Sequence, residues 1–124
     1  MAQSHRVLIV EDDPDMREIE SQVLGYEGYE VLLATNGREA LETVSDHGFD
    51  VILLDLMMPV MDGLTFLAER RRLGLAEGVP IVCVSAGGAE MLKHALRLGA
   101  TECLQKPIDV DELCGRVAYY CSSG

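Results

Sequence analysis

The chain has 124 residues, 48% of them hydrophobic, which is enough for one domain with a buried core. Acidic residues outnumber basic ones by 21 to 10, and the net charge of −11 argues against direct binding to nucleic acid. The N-terminal apolar run is too short for a signal peptide, and no stretch is apolar enough to span a membrane. We therefore expect one cytoplasmic domain over residues 1–124, with an ordered core from about 5 to 121 and no membrane partner.

Five short apolar runs alternate with segments of helical periodicity along the chain. The runs are continuously apolar and rich in Val, Ile and Leu, which is typical of strands buried on both faces of a parallel sheet. In chain order they are Val7–Val10, Val31–Ala34, Val51–Leu54, Ile81–Val84 and Cys103–Leu104.

Capping residues mark the boundaries of the predicted helices. Asp13, followed by Pro14, is expected to cap the first helix, and Asn36 is expected to cap the second. Gly99 is expected to end the fourth helix, and Asp109 to begin the fifth. The side of the first helix that is predicted to face the sheet carries Met16, Ile19, Val23 and Leu24.

The third helix carries Leu64, Leu67 and Ala68 on its apolar side and ends in a basic run, Arg70–Arg72. We expect these arginines to face solvent and to complement the dipole of the helix. His94, on the fourth helix, is interpreted as an ordinary surface side chain.

Five βα units with right-handed crossovers predict an α/β fold with a doubly wound, five-stranded parallel sheet and helices on both faces. In such sheets, ligands bind at the carboxyl ends of the strands, near the point where the strand order reverses. Polar residues lie at four of these ends. They are Glu11, Asp12 and Asp13 after the first strand, Asp55 after the third, Ser85 after the fourth and Lys106 after the fifth.

These residue types together indicate phosphoryl chemistry. The carboxylates of Glu11, Asp12 and Asp55 would repel one another unless a proton or a cation intervenes. Oxygen ligands of this kind suit Mg²⁺ (or Mn²⁺). Asp55 would then be a nucleophile towards phosphorus, because carboxylates form acyl phosphates. Lys106 and the Ser85 hydroxyl would contact the phosphoryl oxygens.

Four stretches carry a resemblance to a known family: "VLIVEDDPDMR", "DLMMPVMDG", "VSAGG" and "GATECLQKPI". With them, the chain resembles the receiver domain of bacterial two-component response regulators over essentially its whole length. The resemblance implies a flavodoxin-like fold, with Asp55 as the phosphoacceptor. It also implies that Asp12 binds Mg²⁺ directly, Glu11 binds it through water, and the backbone carbonyl of Met57 is a further ligand. The remaining roles implied are the switch hydroxyl for Ser85, the phosphate partner for Lys106 and a cis bond to Pro107.

The resemblance also implies the partners. The phosphoryl donor would be a phosphohistidine on a sensor histidine kinase or a histidine phosphotransfer protein. The domain would catalyse only its own phosphorylation and dephosphorylation, and would switch the surface made by the fourth helix, fifth strand and fifth helix. The family also allows a homodimer, and the sequence identifies neither the cognate kinase nor the output.

The chain departs from the family pattern at three positions. Cys103 stands where the family often has an aromatic switch residue on the fifth strand. Met57 and Gly87 occupy two positions thought to tune dephosphorylation, and neither side chain acts as an acid, a base or an amide that orients water. We expect them to act through access to the site.

Two other functions are considered. A degenerate receiver would be only an interaction module, but it would lack the acceptor, the metal carboxylate or the lysine. A phosphohydrolase of the haloacid dehalogenase type needs a second carboxylate two residues after its nucleophile, where this chain has Met57.

The cysteines do not have the spacing of a zinc site. They are expected to be free thiols in a reducing compartment, with a disulfide pair as the less favoured alternative. They are Cys83, Cys103, Cys114 and Cys121.

Overall fold

The computed structural model describes residues 4–122, in which five strands alternate with five helices. Each apolar run of the sequence forms a strand, and the predicted strand positions are confirmed to within one residue at each end. The elements are β1 Arg6–Val10, α1 Pro14–Tyr26, β2 Glu30–Ala34, α2 Gly37–Asp46, β3 Val51–Asp55, α3 Gly63–Leu73, β4 Ile81–Ser85, α4 Ala89–Arg97, β5 Glu102–Gln105 and α5 Val110–Ser122.

All strand pairs are parallel, and the strand order is β2-β1-β3-β4-β5. The order reverses between β1 and β3, whose registers pair Val10 with Leu54. Glu11, which follows β1, and Asp55, which ends β3, therefore lie side by side at the carboxyl edge of the sheet. This is the doubly wound, flavodoxin-like arrangement that was expected from the sequence.

Two apolar cores lie on opposite faces of the sheet, as predicted. One contains Phe66 and is covered by α2, α3 and α4, whereas the other contains Leu24, Leu113 and Val117 from α1 and α5. Strands β1, β3 and β4 are buried along almost their whole length. The edge strand β2 is less buried, since Leu33 is 46% exposed. The prediction that this strand is buried on both faces was therefore wrong.

The predicted sheet-facing side of α1 is partly wrong. Ile19 is 44% exposed, whereas Glu20 and Leu24 are buried. Met16, Glu20 and Leu24 follow one another at a spacing of four residues, so they form one stripe along the helix, and Ile19 lies outside it. A buried carboxyl group thus occupies the inner side of α1.

Arg70 is also placed differently from the expectation that it faces solvent. Arg70 is only 9% exposed, and its Nη2 donates to the carbonyl of Leu98 at 3.4 Å. Arg71 is exposed and donates to the carbonyl of Arg97 at 3.2 Å. Both carbonyls lie at the carboxyl end of α4, where the helix dipole is negative and attracts positive charge. The two guanidinium groups therefore link the carboxyl ends of α3 and α4. Arg72 is exposed, as expected, and its side chain pairs with Glu69.

The predicted caps are confirmed for three helices. The side chains of Asp13, Asn36 and Asp109 accept backbone N–H groups in the first turns of α1, α2 and α5. All four cysteines are free thiols. Among the described helices, none has the length and hydropathy needed to cross a bilayer.

Gly63 gives a test of how tightly α3 packs against the end of β3. A Cβ atom there would lie 2.6 Å from the carbonyl oxygen of Asp55 and 2.8 Å from the Cα of Leu56. Both are backbone atoms, so Gly63→Ala should lower the free energy of unfolding by about 1–3 kcal/mol in urea denaturation. The matched control is Gly115→Ala in α5, where a Cβ meets nothing within 4 Å. It should raise stability by about 0.5–1 kcal/mol, and equal effects of the two substitutions would contradict the close approach.

Candidate functional site

Three carboxylates meet where the strand order reverses. Glu11 follows β1 and Asp55 ends β3, and they are 3% and 6% exposed. Asp12 is half-buried beside them. One oxygen from each of the three groups lies within 4.8 Å of the others. The sequence prediction that these residues come together is therefore confirmed, and the parallel register of β1 and β3 is the cause.

Lys106 reaches this cluster from the far side of β4. Its Nζ lies 3.4 Å from Oε1 of Glu11 and 3.5 Å from Oδ2 of Asp55, and the side chain is 25% exposed. The lysine follows β5, so its long side chain crosses the end of β4 to reach the carboxylates. The peptide bond between Lys106 and Pro107 is cis, as expected.

Burial and mutual repulsion change the acidity of these groups. Burial, together with the hydrogen bond and charge of Asp55, raises the pKa of Glu11 to about 7, although the Asp13 N–H and the charge of Lys106 lower it. Burial lowers the pKa of Lys106, but the charges of Asp55 and Glu11 and the hydrogen bonds to them together outweigh this effect and leave the pKa above its ordinary value. The ammonium group of Lys106 is thus the positive charge beside a cluster of three carboxylates, and it does not balance their negative charge. Oxygen donors with this imbalance fit a divalent cation.

The loop after β1 separates Asp13 from this cluster. The Asp13 carboxylate accepts the N–H of Asp15 at 2.9 Å as the cap of α1, and its own N–H donates to Glu11 at 3.2 Å. Arg17 donates to the carbonyls of Glu11 at 2.9 Å and Asp12 at 3.3 Å, and so fixes the loop. Sequence analysis did not identify Arg17, because a contact with carbonyls five and six residues earlier leaves no pattern in the sequence.

Ser85 lies at the end of β4 and is fully buried. Its Oγ accepts the N–H of Gly87 at 3.0 Å, and the hydroxyl contacts the Met91 sulfur on α4 at 3.7 Å. A Cβ atom on Gly87 would lie 2.5 Å from the same sulfur. The absence of a side chain at Gly87 therefore lets Met91 reach the hydroxyl.

Met57 and Cys103 occupy different environments. The Met57 side chain is 53% exposed at the rim of the site, and its N–H donates to Oδ1 of Asp55 at 3.2 Å. Cys103 is half-buried on β5, and its Sγ lies 3.5 Å from the carbonyl of Leu92 on α4.

An apolar cavity of about 370 Å³ adjoins the carboxylate cluster. It is lined by Met16, Ala86, Lys106, Pro107 and Ile108.

Comparison with known proteins identifies the family. The family model described as the response regulator receiver domain matches residues 7–118. The chain belongs to this family. It is a receiver domain of two-component signalling systems, and neither alternative function is supported.

Curated relatives and solved structures agree with the family. The chain is 35% identical over 111 residues to the chemotaxis protein CheY of Bacillus subtilis, covering 89% of this chain and 92% of that protein. It is 36% identical over 113 residues to the CpxR homolog, a transcriptional regulatory protein of Haemophilus influenzae. That match covers 90% of this chain, which spans only 48% of the relative.

A solved receiver domain, from the sensor histidine kinase PA1611 of Pseudomonas aeruginosa, has a magnesium ion coordinated in its active site cleft. It superposes with a TM-score of 0.86 at 27% identity, covering 97% of this chain and 99% of that one.

Glu20 gives a pH-dependent test of the polar region under α1. Burial raises its pKa from the ordinary 4.5 to about 7, with Lys106 after β5 lowering it and Asp55 on β3 raising it. The folded state therefore binds this proton more tightly than the unfolded state. The contribution of Glu20 to the free energy of unfolding should be fully present below pH 4.5. It should be lost as the pH rises to about 7, which lowers the free energy of unfolding by up to about 3 kcal/mol.

Glu20→Gln removes this titration, so its stability relative to the parent should rise between pH 4.5 and 7. Urea denaturation across this range measures the difference. Glu18→Gln, on the exposed side of α1, is the matched control and should run parallel to the parent. A Glu20→Gln curve that also runs parallel to the parent would contradict the assignment.

Proposed function

We propose that this receiver domain accepts a phosphoryl group on Asp55, in a reaction that depends on Mg²⁺ (or Mn²⁺). The donor is a phosphohistidine on a sensor histidine kinase or a histidine phosphotransfer protein. The observation that carries the proposal is the convergence of Glu11, Asp12 and Asp55 with Lys106 at the carboxyl edge of the sheet. These residues come from three strand ends, and capping alone does not account for their meeting.

Asp55 is the nucleophile in this proposal. A lone pair of its carboxylate forms the new O–P bond, while the P–N bond of the phosphohistidine breaks and the leaving imidazole takes a proton from solvent. Met57 N–H holds one oxygen of Asp55, which limits rotation of the carboxylate. Lys106 is placed to neutralise charge on the incoming phosphoryl oxygens.

Asp12 is the main carboxylate ligand of the metal in this proposal. Glu11 acts through water, and Asp55 and the Met57 carbonyl complete the protein ligands. A bound Mg²⁺ would orient the phosphoryl group and neutralise part of its charge. The shortage of positive charge in the cluster and the magnesium ion in the Pseudomonas receiver support this assignment. The same residues would serve the loss of the phosphoryl group, so the domain acts as a self-catalysing switch and not as an enzyme with a separate substrate.

Ser85 couples the site to α4 in this proposal. Phosphorylation adds about 1.5–2 negative charges beside a hydroxyl that is engaged by Met91 and Gly87. If Ser85 donates to the phosphoryl group instead, its contact with α4 is lost. The surface of α4, β5 and α5 would then change as one end of a two-state equilibrium. We further propose that residues 5–121 form the core of one cytoplasmic receiver domain.

The phosphoacceptor is tested by intact mass after treatment with acetyl phosphate and Mg²⁺. One phosphoryl group should add to the parent protein and leave on treatment with hydroxylamine, because acyl phosphates are labile. Asp55→Asn should take up none. Asp62→Asn is the matched control, since Asp62 caps α3 by accepting the N–H of Thr65 and Asn caps equally well. An adduct that persists in Asp55→Asn would refute the assignment.

The metal ligand is tested with two neighbouring aspartates. Asp12→Asn should weaken Mg²⁺ binding by roughly tenfold or more in titration calorimetry, because it removes a direct carboxylate ligand. Asp13→Asn removes the same charge but keeps the cap of α1, so it should retain most of the affinity. Equal losses in the two variants would show that general charge, and not coordination by Asp12, determines the affinity.

A further inference from the structure

Two of the four cysteines lie on adjacent strands in register. Cys83 on β4 is the direct partner of Cys103 on β5. Neighbouring strands are about 4.7–4.9 Å apart, which falls within the Cα separation that a disulfide spans. Directly paired residues on parallel strands point to the same face of the sheet, and both side chains pack in the apolar core on that face. The two thiols therefore lie side by side on neighbouring strands.

The two thiols have unequal environments. Cys83 is fully buried, whereas Cys103 is half-buried beside the Leu92 carbonyl of α4. Interaction with the Cys83 thiol lowers the pKa of Cys103, and this outweighs the opposing effect of burial. Interaction with Cys103 and burial raise the pKa of Cys83 well above its ordinary value. The partly accessible member of the pair is thus also the one that ionises more readily, and thiolates are the reactive form.

The other two cysteines differ from this pair. Cys114 on α5 is half-buried, as Cys103 is, but burial raises the pKa of its thiol. Cys121 is 5% exposed on the same helix, and burial raises its pKa to about 11. Both serve as internal controls within the same chain.

We propose that Cys103 and Cys83 form a peroxide-sensitive dithiol, in which Cys103 is oxidised first and Cys83 resolves it. The Cys103 thiol releases its proton to solvent, and the thiolate attacks one oxygen of hydrogen peroxide. The O–O bond breaks, a sulfenic acid forms, and the leaving hydroxide takes up a proton from solvent to become water. The Cys83 thiol then attacks the Cys103 sulfur, the S–S bond forms, the S–O bond breaks, and a second water leaves. Two thiols lose two electrons in total, and one peroxide is reduced to two waters.

The product would act on the link between β5 and α4. It would tie β4 to β5 and remove the contact between the Cys103 thiol and Leu92. The strand spacing exceeds the usual Cβ separation of a disulfide, so the strands must move slightly closer and the bond should be easily reduced. These are the properties of a reversible regulatory disulfide, which would be an input separate from phosphorylation.

The proposal is tested on the whole chain by peptide mapping without reductant. The reduced protein is treated with hydrogen peroxide, and its remaining thiols are alkylated. The expected product is an intramolecular link between the peptides containing Cys83 and Cys103, with the loss of two hydrogen atoms, reversed by dithiothreitol. Cys103 should react faster than Cys114, because its thiol has the lower pKa. Asp55→Asn should form the same link, which separates this result from the phosphorylation proposal.

Variants separate the roles of the two thiols. Cys83→Val should leave Cys103 as a sulfenic acid that dimedone traps, whereas Cys103→Val should leave Cys83 reduced. Because both positions pack in the sheet, the order of thiol oxidation in the parent protein tests the proposal without any substitution. Oxidation of Cys114 or Cys121 before Cys103, or disulfides only between molecules, would overturn it.

Discussion

The burial of Glu11 and Asp55 at adjacent strand ends is the constraint on which the site depends. Two neighbouring parallel strands bring these carboxyl groups together, and the surrounding core keeps water from screening them. Burial and the neighbouring Asp55 raise the pKa of Glu11, and Lys106 reaches both carboxyl groups across the end of β4. Burying these groups without sufficient positive charge favours a cation beside them. The proposed metal-assisted phosphoryl transfer requires such a cation.

The strands and the strand-end residues could be predicted from the sequence because each depends on short-range information. A continuous apolar run indicates a buried strand, and parallel strands place all their carboxyl ends at one edge. The inner sides of the helices could not be predicted with the same success. Glu20 and Arg70 are polar, so hydropathy places them outside, but the packing of α1 on the sheet and of α3 against α4 buries them. Arg17 was missed because its partners are carbonyls, which every residue has.

The two ends of α4 are held in different ways. At its carboxyl end, Arg70 and Arg71 reach across from α3 to the last carbonyls. At its amino end, Gly88 provides no side-chain cap, and the nearby contact is between the Ser85 hydroxyl and the Met91 sulfur. A sulfur acceptor forms a weak hydrogen bond, so this contact is exchanged more easily than the arginine links. Movement that begins at Ser85 should therefore turn the amino end of α4 about its anchored carboxyl end.

Cys103 changes how such a movement would reach β5. An aromatic ring at this position could rotate between inner and outer positions, but a thiol is too small to do so. Cys103 instead contacts α4 through the Leu92 carbonyl and contacts β4 through Cys83. In the proposed switch, the signal from the site to the α4–β5–α5 surface would then be carried mainly by α4 itself, since the small thiol cannot move as a ring does. The position where receivers often have an aromatic ring thus holds, in this chain, one member of the thiol pair for which we propose oxidation.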